Sequence, residues 1–171
     1  DGNEGGTQHL VHEAEFPPAS PALAAWYLGI GDNSHRKAAL LGLRSHGVSP
    51  EVFQHPTAVV SKTARLGEGA FIGAFAYIGP GVKIGPGTIV NTGAIIEHDG
   101  QVGPCSHVAP HATILGNVRI GASVLIGAAS VVLPDLSIAD DTTVGAGATV
   151  IRSVTETGLL LAGVPARAIN S

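Results

Sequence analysis

Residues 66–90, LGEGAFIGAFAYIGPGVKIGPGTIV, repeat with a period of six: Leu66, Ile72, Ile78, Ile84 and Val90 are branched aliphatics at equal steps. The same step runs on without a slip through Ile96, Val102, Val108, Ile114, Ile120, Ile126, Val132, Ile138 and Val144 to Val150. Four residues after each aliphatic the side chain is usually small or β-branched, as at Ala70, Ala76, Val82, Thr88 and Ala94. Glycine directly follows the aliphatic at positions 67, 73, 79, 85, 103, 121, 127 and 145. A helix has period 3.6 and a strand period two, so neither produces this ruler. A chain wound round a triangular prism does, because each hexad supplies one side and a turn and three hexads close a coil of 18 residues. On this reading the aliphatic fills the axis, small residues let the coils approach at the corners, and glycine or asparagine takes the turn dihedrals. Residues 66–155 then make five coils, and Val60 begins part of a sixth. The expected fold is mainly β, a parallel β-helix of hexapeptide repeats over residues 51–155.

The flanks leave the ruler. Upstream, AAWYLGIGDNSHRKAALLGLRSHG (24–47) reads as a strand through Ile30, a glycine turn, and a helix opening around Asp32, Asn33 and Ser34 and ending at Gly47 and Pro50. Such a turn leaves N–H groups free at a helix start, which suits a phosphate or serves only as a plain strand-to-helix connection. The leading 20 residues, with FPPASP, read as loop, and residues 156–171 as a loop and tail folded on the last coils. The absence of methionine and the start at Asp1 give the expectation that an N-terminal segment is missing from the chain.

The 171 residues suffice for one domain with a small appendage. A net charge of −4 argues against a broad nucleic-acid or anionic-membrane surface. Mean hydropathy is +0.32, yet the apolar residues are interleaved and form no run long enough to insert in a bilayer. A single cysteine excludes an internal disulfide framework, and no secretory leader pattern opens the chain, so the cytoplasm is the expected compartment.

The chemistry concentrates in TGAIIEHDGQVGPCSHVAPHA (92–112), which holds three histidines, a Glu-His-Asp triplet and Cys105. Residues 18 apart stack, so His98 shares a column with Gly116 and Pro134, while Pro110, Ala128 and Ala146 form another. All six fall on an outward position of the hexad. His98 is therefore exposed beside a neighbour without a side chain, and the second column is a small-residue stripe about 10 Å tall along which an extended pantetheine arm fits. His107 is nine residues from His98, half a coil perimeter, so one ligand touched by both requires two subunits, most simply in a cyclic trimer. A zinc site of three histidines fits the spacing poorly, because Ile89 and Leu125 occupy the positions one coil from His107. A Cys105–His107 nucleophile pair has nothing to activate the thiol. With a thioester donor one base suffices: an amine or hydroxyl attacks, His98 takes its proton, and a backbone N–H holds the oxyanion. Asp99 can orient that imidazole only if a turn or bulge brings two adjacent side chains to the same side.

IIEHDGQVG (95–103), CSHVAPHATILGNVRIG (105–121), SVVLPDLSIADDTTVGAGATV (130–150) and AGVPARAI (162–169) closely resemble the NeuD/PglD-type sugar acetyltransferases, a hexapeptide-repeat family, over residues 26–169. The resemblance implies a left-handed coil, acetyl-CoA as co-substrate with no metal, and a homotrimer with active sites between subunits. It implies His98 as general base with Asp99 as its acid partner. His107, Gly116, Ala128 and Ala146 then face the cofactor, and Asn91 lies near the acceptor sugar. Family members carry a Rossmann-like N-terminal subdomain that holds a nucleotide-sugar. Residues 1–50 match part of it: Gly31, Asp32 and Asn33 fit its second glycine-rich element, and the first is absent. Charge alone assigns Arg167 to a CoA phosphate. The expected reaction is N-acetylation of a UDP-4-amino-4,6-dideoxy sugar; O-acetylation of a sialic acid, a metal-dependent lyase and a non-catalytic β-helix are the alternatives.

Overall fold

The computed structural model describes residues 26–169. Seventeen two-residue strands recur every six residues from Phe53–Gln54 to Thr149–Val150. They form three parallel sheets, designated faces A, B and C in chain order. The register advances by 18 throughout: on face A, Phe53 pairs with Phe71, Phe71 with Ile89, Ile89 with His107, His107 with Leu125 and Leu125 with Thr143. Six coils result, one more than the full coils of the aliphatic ruler, because Gln54 takes the aliphatic position of the first coil without interrupting the backbone pairing.

The aliphatic ruler is the axis of the core. Ile72, Ile78, Val90, Ile96, Val108, Ile114, Ile126, Val132 and Val144 are fully buried, each worth about 1.5–3 kcal/mol relative to exposure. The small residues four positions on complete the interior, and its hydroxyls are paired. Thr88 donates to the Gly103 carbonyl at 2.8 Å, Ser106 to Gly121 at 2.8 Å and Ser130 to Gly127 at 2.7 Å.

The glycines that follow the aliphatic do not take the turn dihedrals expected of them. A β-carbon on Gly67, Gly73, Gly79, Gly85, Gly103, Gly121 or Gly127 would stand within 3 Å of atoms in the next coil, so these positions are kept bare for close approach. The left-handed turn falls two residues later, and non-glycine residues occupy most of those sites: Phe75, Asp99, Cys105, His111, Asn117, Ser123, Ala129, Asp135 and Asp141 all have φ between 54° and 62°.

Two flanking expectations also change. Residues 26–31 form no strand; Trp26 accepts from the Glu51 N–H at 2.7 Å and the segment lies along the coil edge. The terminal segment is more than loop. Leu160–Ala162 adds to face A beside Thr143–Val144, Arg167–Ala168 adds antiparallel to it, and Val154 bridges Ile138. The last coil would otherwise end in a row of unpaired backbone groups, and the returning chain covers them.

The single helix among the described residues, α1 (Asn33–Ser45), starts where expected, with Asp32 as N-cap accepting from the His35 N–H at 2.9 Å. It ends in a Schellman motif: Val48 donates to the Leu43 carbonyl at 3.0 Å and Gly47, at φ 73°, donates to Arg44 at 2.9 Å. Leu40 and Leu43 pack with Leu28 and Cys105 at the corner between faces C and A.

Candidate active site

His98 and Asp99 sit at the corner between faces B and C. Asp99 has φ 60°, which turns its side chain to the same side as its neighbour and supplies the turn that the pair requires. The imidazole Nδ1 is 3.0 Å from the Asp99 Oδ2. A carboxylate only accepts, so this bond puts the proton on Nδ1 and leaves the Nε2 lone pair bare. The other end of the ring lies over Gly116, where a β-carbon would be 2.6 Å from Nε2. Gly116 is buried, and among the described residues no backbone acceptor takes its N–H. An imidazole with a defined tautomer thus stands beside an amide N–H without a backbone acceptor, an arrangement compatible with acyl transfer from a thioester.

A second cluster lies on face A. Asn91 is 3.1 Å from the His107 Nε2, and its Oδ1 accepts from the Thr92 N–H at 2.8 Å, so Nδ2 is the donor to His107. Burial and the nearby Arg36 guanidinium hold His107 below the usual histidine range, while a hydrogen bond with the Gly31 backbone opposes them. His107 is therefore an imidazole held at both nitrogens, with its protonated form disfavoured. Gly31, Asp32 and Asn33 are largely committed locally. Asp32 caps α1, an interaction that keeps its carboxyl below the ordinary range. Asn33 donates to the Ser123 carbonyl at 3.1 Å and accepts from Arg36 at 2.5 Å.

Arg36 is the residue that sequence reasoning missed. It is fully buried and donates to the carbonyls of Gly87, Ile30, Gly31, Cys105 and Ser106 as well as to Asn33. No carboxylate faces it in this set, and burial lowers its pKa from the usual arginine value. It pins the 30–33 turn to the two residues preceding His107. The available signal was its place on the apolar face of α1 with Leu40 and Leu43, four and seven residues on. Cys105 is buried, and burial pushes its thiol up, the opposite of an activated nucleophile. Among the described residues no group of three His, Cys, Asp or Glu side chains is arranged to hold a metal ion.

Comparison with known proteins places this geometry. The bacterial transferase hexapeptide (six repeats) family model matches residues 63–98 and 117–152. The perosamine N-acetyltransferase of Caulobacter crescentus, solved with CoA and GDP-perosamine, is 36% identical with a TM-score of 0.83, over 85% of this chain and 69% of that one. The chain belongs to the hexapeptide-repeat sugar acetyltransferases. The acetyltransferase domain of PglB from Neisseria gonorrhoeae, solved with acetyl coenzyme A, is 31% identical with a TM-score of 0.79, over 82% and 68% of the two chains. WeeI from Acinetobacter baumannii is 30% identical with a TM-score of 0.77, over 82% and 68%. Among curated proteins no sequence matches.

Within one protomer of this acetyltransferase the expected cofactor residues do not share a cleft. Ala128 and Ala146 lie on the corner between faces A and B, away from the corner that carries His98. Arg167 lines a cleft of about 180 Å³ at the end of the prism, together with Arg152 and Ser153. Arg152 follows Val150 as Gly116 follows Ile114, so it continues the column of His98 at the top of the coil.

Proposed function

We propose that this acetyltransferase carries the acetyl group of acetyl-CoA directly to the amine of a nucleotide-linked amino sugar, with His98 as general base. The observation that carries the reading is the His98 imidazole held between Asp99 and Gly116. Nε2 takes a proton from the acceptor nitrogen as that nitrogen forms its bond to the thioester carbon. The Gly116 N–H stabilises the oxyanion, and collapse expels the CoA thiolate, which is protonated in turn. No covalent enzyme intermediate is required, in keeping with the buried and unactivated Cys105.

Arg152 and Arg167 supply positive charge for the CoA phosphates. Arg152 lies three coils above His98, about 14 Å at strand spacing, a span that an extended pantetheine arm bridges. His107, Asn91 and the Gly31–Asn33 turn reach such a ligand from a second subunit. The chain's surface supports that assembly. The outward residues of face B include Val59, Tyr77, Ile95 and Val131, whereas those of face C include Arg65, Lys83 and Arg119. A homotrimer that buries the apolar face B leaves the cationic face C in water. Among the described residues no helix is long and apolar enough to cross a membrane.

The acceptor expected from the sequence is a UDP-4-amino-4,6-dideoxy sugar; the GDP-perosamine bound by the Caulobacter relative supports a GDP-linked amino sugar equally. The deciding experiment is thiol release from acetyl-CoA against UDP-4-amino sugars, a GDP-4-amino sugar and sialic acid, with His98→Ala as control. Turnover of one amino sugar, reduced about 10²- to 10⁴-fold in the variant with acetyl-CoA affinity retained, is the expected result. Turnover with sialic acid alone replaces the acceptor by a hydroxyl, and undiminished activity of the variant removes His98 as base.

A further inference from the structure

Asp99 orients His98, and its own orientation has a cause one coil below. The Asp99 Oδ1 lies over Gly81, where a β-carbon would stand 2.6 Å away, while Oδ2 faces the imidazole. We infer that Gly81 is a positioning residue for the catalytic pair: its missing side chain is the seat of the Asp99 carboxylate. This rests on the reading of His98 and Asp99 as the catalytic pair.

Gly81 has φ 73°, and the ordinary explanation of such a glycine is the left-handed turn itself. That explanation is insufficient here. Phe75, Asp99, Ser123 and Ala129 adopt the same turn at equivalent places in other hexads, so the fold accepts side chains there. Three of these turn glycines are closed over by a side chain of the next coil, whereas a β-carbon on Gly147 would meet nothing. Gly93 lies beneath the His111 ring, which a β-carbon would approach to 2.6 Å, and Gly87 beneath the Cys105 sulfur, at 3.2 Å on the same measure. Gly81 lies beneath the one such side chain that contacts the base. The Gly81 N–H is already engaged by Thr63 Oγ1 at 3.0 Å and the Asp99 N–H by the Pro80 carbonyl at 2.9 Å, so the backbones of the two coils are tied. An added methyl group therefore displaces the exposed carboxylate and not the coil.

The test reads the His98 ring directly, by ¹⁵N–¹H correlation of the histidine nitrogens at pH 8.5, above the ordinary histidine range. In the wild-type protein the Nδ1–H tautomer predominates. Gly81→Ala shifts His98 towards the Nε2–H tautomer, as Asp99→Gly does, and adds nothing further in the Asp99→Gly background. Gly93→Ala introduces the same backbone strain and leaves the His98 signals unchanged. In turnover Gly81→Ala lowers kcat about 10- to 100-fold with the KM for acetyl-CoA unaltered. A wild-type ring spectrum in Gly81→Ala overturns the inference, as does an effect of Gly81→Ala that persists without the Asp99 side chain. If the ring responds as expected but no acceptor is turned over by the wild-type protein, the reaction assignment fails and the positioning role stands.

Discussion

The His98 ring occupies the space where Gly116, 18 residues later, would carry a β-carbon: a carbon at that position would come within 2.6 Å of Nε2 and 2.7 Å of Cε1. The coil register makes this contact, because Asn117 donates to the His98 carbonyl at 2.9 Å and so fixes Gly116 one coil above the His98 ring. Gly116→Ala should therefore turn the exposed ring away without disturbing the interior. The expectation is a roughly 10- to 100-fold fall in kcat with a thermal midpoint close to that of the wild type, checked by steady-state kinetics and a melt.

Arg36→Met should damage the attachment of α1 far more than the prism. The variant leaves five backbone carbonyls and the Asn33 amide oxygen without their buried donor. A loss of about 3–5 kcal/mol follows from removing one side of such a buried polar set. Limited proteolysis should then cut within residues 26–50 while the strand repeats remain intact, and simultaneous loss of both would show that the prism depends on the helix.

His107 links pH to stability. Its folded-state pKa is depressed, chiefly by burial, below the unfolded value of about 6.5. Above that pH both states are neutral and the group costs nothing. As pH falls below about 6.5 the unfolded chain takes up a proton that the folded one resists, so stability declines with acidification. In His107→Gln the thermal midpoint should fall less between pH 7 and pH 5 than in the wild type, and parallel curves would show that the burial of His107 is not linked to folding.

In the proposed trimer, Ala128 and Ala146 reach the cofactor only from a neighbouring subunit. Replacement of either by leucine should weaken acetyl-CoA binding tenfold or more in calorimetry, with the oligomeric state retained in sedimentation. Unchanged affinity in both variants would remove the stripe from the groove and leave the cofactor to the column of His98, Gly116 and Arg152.

The architecture was legible because a period of six has one geometric meaning, and fifteen aliphatic positions carry it without interruption. The column of His98 and Gly116 was legible for a related reason, since it follows by counting once the register is 18, whereas the roles of base and acid for His98 and Asp99 came from the family resemblance. The roles of individual glycines were not legible. Gly79 and Gly81 are two residues apart in one turn, yet the first lies against the backbone at His98 and the second against a carboxylate. Nothing in their local sequence distinguishes those environments.

By itself, then, the sequence determined the coil, its register and the outward placement of the histidines, since each depends on a repeat that local chemistry imposes at every step. Only the tertiary structure decided how the ends are closed, which carbonyls surround Arg36, and which nitrogen of His98 is left bare. The first two depend on contacts between residues far apart in the chain, such as Arg36 with the Ser106 carbonyl 70 positions on, and the third on the left-handed turn at Asp99, where no periodic signal exists and geometry alone selects the partner.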